Sequence, residues 1–505
     1  MFLTRVLTST MALAALGGAP LLAQQKPAAP PAYGATSATS TAAMLPMTTA
    51  SAAAREHATL GQRALDFGHQ QEATAHFRQA VEADSGFAFG WLGLANASTS
   101  VGDFTRDLRV ASRLAPKASR AEQLEIGIAE KQLNSDQEGA AALARALVQV
   151  APRNPRAHLT LANVQTAMNR EADARASMER AIAVAPDFAP AYIQLGYSYL
   201  LVTPRAPAKA EAPIRKAIAL EPRESRPYIA LGSFGRATNR LDDARQAYTR
   251  AAELDPSNAL PLQQRGHVNT FLGNYDAARA DYDAAIRLGK DNEPANYAVY
   301  RALVPTYAGD PRGSIAELEA LVGKIDGMNV PDRDGSKVFA LTQEAQIAIH
   351  SGDVDAARRA LEQRSALLRK QATAVGTEEF RRTQESDIAF WDGLLAARQK
   401  DFATATAKAK EAMRHVAANR DPRKDMPAHA LLGFVALDQR RYGDAAGHFG
   451  SADPNDPYVA YHRALALQGA GQTTTAKKLF REVASYNFST AGEALVRADA
   501  KQRAR

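Results

Sequence analysis

The sequence predicts an all-α protein built from stacked helix-turn-helix units, and three observations lead to this class. A set of landmarks recurs with a period of 34 residues: a small residue in a first helix, an alanine in a second, and an aromatic residue four positions later. They read Gly232, Ala244 and Tyr248, and then Gly266, Ala278 and Tyr282. Positions four apart share one face of a helix. A hairpin of two helices cannot bury its apolar face alone, so repeated hairpins must stack.

Each landmark has a physical reason within the repeated unit. A glycine in the middle of a helix costs about 1 kcal/mol relative to alanine, so Gly232 and Gly266 indicate a close approach by the second helix. The turn between the two helices falls at Asn239 and Gly273. These residue types tolerate the left-handed conformation in which many helices end.

The alanine landmark keeps its spacing far beyond the two clearest units. It advances by 34, 36, 34 and 34 residues along the series Ala140, Ala174, Ala210, Ala244 and Ala278. The step of 36 falls where extra residues surround Pro204. Degenerate copies extend the pattern on both sides, which predicts about twelve units between residues 53 and 487.

This pattern resembles the tetratricopeptide repeat (TPR) family, whose unit is a helix, a tight turn and a second helix. The resemblance implies a right-handed superhelical α-solenoid in which the first helix of each pair lines an inner face that binds extended peptides. Amide, cationic and aromatic side chains suit such a ligand. The candidate contact residues on this face are Asn96, Asn163, Gln194, Tyr197, Arg226, Arg236, Gln264, His267 and Tyr300. The alternative is that they are solvated residues of the wall.

One branch of the family clamps a C-terminal carboxylate with lysine and asparagine at fixed positions. Asn96 and Asn163 stand at the asparagine-like place, but Leu92 and Leu159 occupy the place of the lysine. We therefore do not carry this clamp over to the present chain.

The first 52 residues have a different composition from the repeats. Residues 1–23 contain Arg5, an apolar run and Ala23 at a plausible cleavage point, which is the layout of a secretory signal peptide. An uncleaved anchor is the alternative, although the run is short and interrupted. Residues 24–52 are rich in Pro, Ala, Ser and Thr and are interpreted as a disordered linker.

The repeats divide into two predicted segments followed by a terminal helix. About eight units occupy residues 53–325, and about four occupy residues 336–487. The loop at residues 326–335 separates them, since it contains two glycines and a proline. Residues 488–505 are predicted to form a capping helix with a basic, solvent-facing side.

The composition and motifs exclude several kinds of chemistry. The chain has no cysteine, so disulfides, thiolate zinc sites and cysteine nucleophiles are impossible. None of its ten histidines forms a zinc-peptidase motif. The glycine-rich stretch 469–474 lacks the lysine of a phosphate loop, and residues 332–343 do not match a calcium loop. We predict no catalytic residues, cofactor or metal.

These features favour a non-enzymatic scaffold that mediates protein–protein interaction in the bacterial periplasm or cell envelope. Its expected partner is a protein or an extended peptide, with no nucleic acid and no membrane span after signal cleavage. The net charge of +7 leaves an alternative, a module that binds an anionic envelope polymer such as a polysaccharide or cell-wall strand. An enzyme with a site hidden between repeats is a third possibility.

Overall fold

The computed structural model describes residues 43–98, 100–134, 136–201, 205–419, 421 and 423–505. These residues contain α-helices, two short 3-10 helices and no β-strand, which confirms the all-α class. The helices follow one another in stacked pairs, as the α-solenoid prediction requires. None of the helices within these ranges is long and apolar enough to cross a membrane. The predicted signal peptide, residues 1–23, lies outside the described residues.

The chain forms two compact units. The first contains the described residues up to Thr238 together with Gln246–Ser257. Its helices are α1 (Ala52–Phe67), α2 (Gln70–Ala83), α3 (Ala88–Asn96), α4 (Val101–Leu114), α5 (Arg120–Leu133), α6 (Gln137–Val150), α7 (Pro155–Ala167), α8 (Glu171–Val184), α9 (Ala189–Leu201), α10 (Glu211–Leu220) and α11 (Ser225–Ala237). The 3-10 helices are Ala115–Lys117 and Pro207–Lys209.

The second unit contains Asn239–Arg245 and Asn258–Arg505, so helix α12 (Leu241–Leu254) contributes residues to both units. Its other helices are α13 (Ala259–Leu272), α14 (Tyr275–Leu288), α15 (Glu293–Ala302), α16 (Val304–Tyr307), α17 (Pro311–Ile325), α18 (Arg333–Ser351), α19 (Val354–Val375), α20 (Glu378–Arg398), α21 (Phe402–His415), α22 (Met426–Asp438), α23 (Tyr442–Gly450), α24 (Pro457–Gly469), α25 (Thr473–Ala484) and α26 (Ala491–Arg503). The boundary between the two compact units therefore falls near α12. The break between repeat segments at residues 326–335 stays a prediction.

The glycine of the repeat makes room for an aromatic ring of the second helix. A Cβ atom on Gly232 would lie 2.5 Å from the Tyr248 ring, and one on Gly266 would lie 2.9 Å from the Tyr282 ring. Both rings are completely buried. The expected close approach at these glycines is thus made by a side chain of the same pair.

The predicted turn residues adopt the left-handed conformation. Asn239 has a φ of 57° and Gly273 has a φ of 82°. In each pair the chain reverses at this point and the second helix begins two residues later, at Leu241 and Tyr275. The sequence signal for these turns is local, which explains why it could be found without knowledge of the packing.

The end of the predicted linker departs from the flexible conformation expected of it. Residues 43–51 form no helix but pack against the first unit, with Ala43 and Leu45 only 5% and 4% exposed. They contain the aliphatic side chains of Met44, Leu45 and Met47, which the rest of the linker lacks. Apolar burial of this kind supplies the stabilisation that a Ser/Thr/Ala-rich chain does not have.

Candidate peptide-binding surfaces

The structure places the predicted contact residues of the first unit in different environments. Asn96 is exposed at the end of α3, and Asn163 in α7 is half-buried. Gln194 and Tyr197 in α9 are also half-buried. The Oε1 atom of Gln194 is buried and has no hydrogen-bond partner among the residues that the structure describes. Arg236 is only 5% exposed, so its side chain is buried in this structure.

Arg226 is used inside the first unit. Its guanidinium donates hydrogen bonds to the backbone carbonyls of Leu65, at 3.3 Å, and Asp66, at 2.9 Å. These carbonyls belong to the last turn of α1, where the regular hydrogen bond to an N–H four residues later is no longer available. A cation at this end of a helix also complements the helix dipole. The side chain predicted to hold a ligand therefore caps a helix of its own unit.

The end of α1 lies against α7, α9, α10 and α11 through apolar and ionic contacts. Phe67 is buried among Ala189, Ile193 and Ala217. Arg156 pairs with Asp66 at 2.7 Å, with both side chains about one-tenth exposed. Part of the face on which we expected a ligand is therefore covered by the first helix pair.

His69 lies in a charged cluster beside these contacts. Its Nε2 atom is 3.0 Å from Glu224 and its Nδ1 atom is 3.6 Å from Asp255. Arg63 pairs with Glu221 and with Glu224 in the same cluster. Burial disfavours the protonated imidazole, but hydrogen bonds to the two carboxylates outweigh it and raise the pKa of His69 to about 9.

In the second unit the predicted residues form an aromatic cluster. His267 is 4% exposed, and its Nδ1 atom is 2.7 Å from the Tyr282 hydroxyl. The ring of Tyr300 meets the ring of His267 edge-on, with the centroids 4.7 Å apart. The amide of Gln264 donates to Gln263 at 2.8 Å. His267 therefore belongs to the core that joins adjacent helix pairs.

Helix α26 packs against the second unit on one side and exposes Lys501, Gln502 and Arg503 on the other. It contacts α24 and α25 of the last pair but also α16 and α18, far back in the sequence. Its Glu493 is fully buried and pairs with Arg497 at 2.7 Å. Arg497 also lies over the Phe271 ring of α13, 4.8 Å from its centroid. The C-terminal helix is thus a packed component of the unit.

The clearest example of peptide recognition is the extended stretch of residues 43–49, which we call the bound segment. The side-chain amide of Asn154 donates to the Met44 carbonyl at 3.1 Å, and the Ser119 hydroxyl donates to the Pro46 carbonyl at 3.1 Å. The Thr48 backbone N–H donates to the Glu122 carboxylate at 3.1 Å. The Thr48 hydroxyl donates to the same carboxylate. These partners belong to two successive helix pairs.

A third pair and several apolar contacts complete the surface. The Thr49 hydroxyl donates to Asp84, just before α3. Leu45 is buried in a cluster that includes Leu124 of α5 and Ala157 of α7. Met44 and Met47 pack against the core of the first two pairs. The surface formed by Asp84, Ser119, Glu122 and Asn154 with these apolar residues is called the edge surface below.

The second repeat leaves a shallow depression because it is degenerate. Asp107, 4% exposed, stands in the place of the alanine landmark and pairs with Arg106 at 2.8 Å. The depression measures about 520 Å³ and is lined by Thr74, Arg78, Val81, Glu82, Trp91, Leu94, Ser98, Asp103, Arg106 and Asp107. Its charged groups are largely paired with one another, and they do not form a nucleophile–base arrangement.

Across the described ranges, no group of three or more His, Asp or Glu side chains is arranged to hold a metal ion. The surfaces found above instead offer amides, hydroxyls, carboxylates and apolar pockets. These groups bind polypeptide through its backbone and alternate side chains. The geometry is that of a binding surface.

The comparisons agree with the repeat pattern and the helix pairs. The family profile of the tetratricopeptide repeat matches residues 225–258 and 261–292. These ranges cover α11 to α14, which include the two units with the clearest landmarks. These two units of the chain are thus similar to tetratricopeptide repeats.

Similarity to known proteins is partial. Anaphase-promoting complex subunit 3 of Schizosaccharomyces pombe is 27% identical over 179 residues, which are 35% of this chain and 26% of that protein. Protein O-mannosyl-transferase TMTC1 of Mus musculus is 34% identical over 89 residues, 17% of this chain and 9% of that protein. The match thus spans about a quarter or less of the length of either curated relative.

Among solved structures, a human IFIT1 dimer with m7Gppp-AAAA is similar to most of the chain. The match covers 86% of this chain and 90% of that one, at 14% identity and a TM-score of 0.41. At this level the likeness concerns the helical-repeat fold alone.

Proposed function

We propose that the protein is a non-catalytic scaffold of the bacterial periplasm or cell envelope that holds partner proteins by extended segments. The observation that carries this proposal is the bound segment, which is held in a non-helical conformation by the side chains of Asp84, at the end of α2, and of Ser119 and Asn154, at the starts of α5 and α7. A repeat array that holds one extended segment has the groups needed to hold another. A partner segment can therefore bind on the open surface of the helix pairs, without an enclosed pocket.

The signal-like sequence of residues 1–23 supports the cellular part of the proposal. Fractionation of the native cells followed by N-terminal sequencing tests it. We expect the mature chain in the periplasmic fraction, beginning after Ala23. Recovery of the chain in the cytosol with residues 1–23 retained would refute export.

Affinity capture from the native envelope, followed by mass spectrometry, tests the scaffold itself. We expect a defined protein partner that is lost when the extract is digested with protease before capture. The alternative partner is an anionic envelope polymer, which the net charge of +7 favours. Capture of polymer that survives protease and falls steeply with salt would support that alternative.

The charges and contacts of the described residues support a protein partner more strongly than an anionic polymer. Several exposed arginines are already paired with a neighbouring carboxylate, as Arg245 is with Asp242 and Arg441 is with Asp444. Paired charges of this kind weaken the field that would attract a polyanion. The bound segment, by contrast, shows direct recognition of polypeptide backbone.

A further inference from the structure

The bound segment follows the edge surface with a regular two-residue step. The carbonyls of Met44 and Pro46 and the N–H of Thr48 each meet one side chain from the N-terminal end of a first helix. Successive side chains of an extended chain point in opposite directions, so alternate residues share a face. Ala43 and Leu45 accordingly enter the apolar clusters of the helices, while the intervening residues present their carbonyls to donors.

The edge surface is distinct from the inner face on which the sequence placed the candidate contact residues. Asn154 and Ser119 are the N-cap residues of α7 and α5, at the opposite end of the first helices from Asn96. Part of the inner face of the first unit is covered by the end of α1, through contacts such as Arg226 with Asp66. Among the residues that the structure describes, the bound segment covers the edge surface, and this segment lies outside the helices.

The bound segment is joined to the repeats at Ser51, which caps α1 through its hydroxyl. We expect detachment of residues 43–49 to leave this cap in place, because the Ser51 hydroxyl accepts directly from the Ala54 N–H. Because the segment is tethered next to its site, its effective concentration is in the millimolar range. A partner segment must therefore compete with it, and binding is regulated by the chain itself.

We propose that the edge surface is a binding site for an extended segment of a partner protein, and that residues 43–49 occupy it in cis. The partner segment has an aliphatic side chain in the place of Leu45 and hydroxyl side chains in the places of Thr48 and Thr49. In the place of Pro46 it needs only a backbone carbonyl that can accept a hydrogen bond from Ser119. This inference rests on the proposed scaffold function and specifies its ligand.

The charges of the edge surface define what it excludes. Glu122 and Asp84 accept hydrogen bonds from the two threonine hydroxyls. An acidic side chain in either place would bring two carboxylates together, which is unfavourable. Leu45 is 4% exposed, so a charged residue there would be buried without a partner. The site thus excludes acidic residues in the places of Thr48 and Thr49, and residues of either charge in the place of Leu45.

The experiment uses the full chain with the bound segment released by L45D and T48A, and a fluorescent peptide with the sequence of residues 42–50. Anisotropy should show saturable binding to the released variant. Binding to the unmodified chain should be at least tenfold weaker, because the tethered segment competes. A peptide that carries the Leu45→Asp change should not bind.

Asn154→Asp in the released background tests the site directly. Aspartate keeps the N-cap, because the Asn154 Oδ1 atom accepts from Arg156 N–H, but it loses the donor to the Met44 carbonyl. We expect about tenfold weaker peptide binding. Asn258→Asp is the matched control, since Asn258 caps α13 in the same way and does not touch the segment. It should leave binding unchanged.

Two results would overturn the inference. One is failure of the peptide to bind the released variant when its circular dichroism and thermal transition match those of the parent. The other is equal binding by the Asn154→Asp and Asn258→Asp variants. If either occurs while envelope capture still yields a protein partner, the scaffold function stands and the edge surface is not its site.

Discussion

At the scale of single residues, the landmark glycines Gly232 and Gly266 each lie against an aromatic ring of the second helix, whereas Gly196 lies against the aliphatic side chain of Ile214. A Cβ atom on Gly232 would lie 2.5 Å from Tyr248, whereas one on Gly447 in α23 would meet no atom within 4 Å. The two positions are both helical, so they have the same intrinsic preference for a larger residue. The effect of a larger residue at these two positions therefore differs only because of the side chains packed around them.

Gly232→Leu should therefore destabilise its helix pair by about 1 to 3 kcal/mol through overpacking. Hydrogen exchange measured over residues 225–254 should become faster. Gly447→Ala is the control, and it should stabilise α23 by up to about 1 kcal/mol because alanine is the better helix former. Equal exchange in the Gly232→Leu variant and the parent would contradict the assigned packing.

The protonation of His69 makes a second prediction at this scale. Its pKa in the folded chain is about 9, above the ordinary value of 6.5. Protonated His69 therefore stabilises the fold fully below pH 6.5, and this contribution disappears as the pH rises through 9. A shift of this size corresponds to at most about 3 kcal/mol. Urea unfolding of the first unit should show lower stability at pH 9.5 than at pH 6.5.

The variant His69→Gln separates this effect from general alkaline destabilisation. It removes the proton that lies between Glu224 and Asp255. We expect the variant to be less stable than the parent at pH 6.5, with the difference narrowing above pH 9. If the difference in stability between variant and parent is the same at pH 6.5 and above pH 9, His69 does not titrate in the folded chain over this range.

At the scale of elements, α26 offers a direct comparison of a buried and an exposed ion pair. Glu493 and Arg497 are 0% and 6% exposed, while Asp499 and Arg503, with the same spacing, are 39% and 37% exposed. Removal of one partner of a buried pair leaves an uncompensated charge and costs about 3 to 5 kcal/mol. Exposed pairs contribute about 1 kcal/mol or less.

Arg497→Ala should accordingly release α26, with a large loss of hydrogen-exchange protection in residues 491–503. Arg503→Ala should change this protection only slightly. If both variants behave alike in exchange and in thermal unfolding, the buried pair does not hold the helix in place.

The helix pairs themselves could be predicted from sequence because their signals are local. The glycine, alanine and aromatic landmarks lie within one pair, and Asn239 and Gly273 mark turns by their own backbone preferences. The period also indicates which positions a pair does not need for its own core. It does not indicate which other element covers those positions.

Because the period does not show which element covers a position, the environments of the candidate site residues could not be predicted. Arg226 meets the end of α1, about 160 residues away in sequence, and Arg497 of α26 reaches Phe271. Contacts between residues so far apart in sequence do not appear in the 34-residue pattern. The bound segment did carry a signal, since Met44, Leu45 and Met47 interrupt a stretch of small and hydroxyl residues, but composition alone placed it in a flexible linker.

At the largest scale, α26 changes how stability is distributed in the second unit. In a simple array each pair touches only its neighbours, so a local defect spreads only to them. Here α26 contacts both α18 and α24, which are separated by about a hundred residues. A Cβ atom on Gly492 would lie 2.9 Å from Gln346 of α18 and 2.9 Å from Tyr458 of α24.

Gly492→Leu should therefore weaken two distant elements together. Overpacking of about 1 to 3 kcal/mol should force α26 away, and hydrogen exchange should accelerate in α18 and α24 at once. Gly433→Leu is the matched comparison, because its Cβ atom would lie 2.7 Å from Phe449 within a single pair. It should accelerate exchange in α22, α23 and the adjacent pairs but leave α18 protected. If Gly492→Leu accelerates hydrogen exchange in α24 but not in α18, then α26 does not couple the stabilities of these two helices, and a local defect in this unit affects only neighbouring pairs.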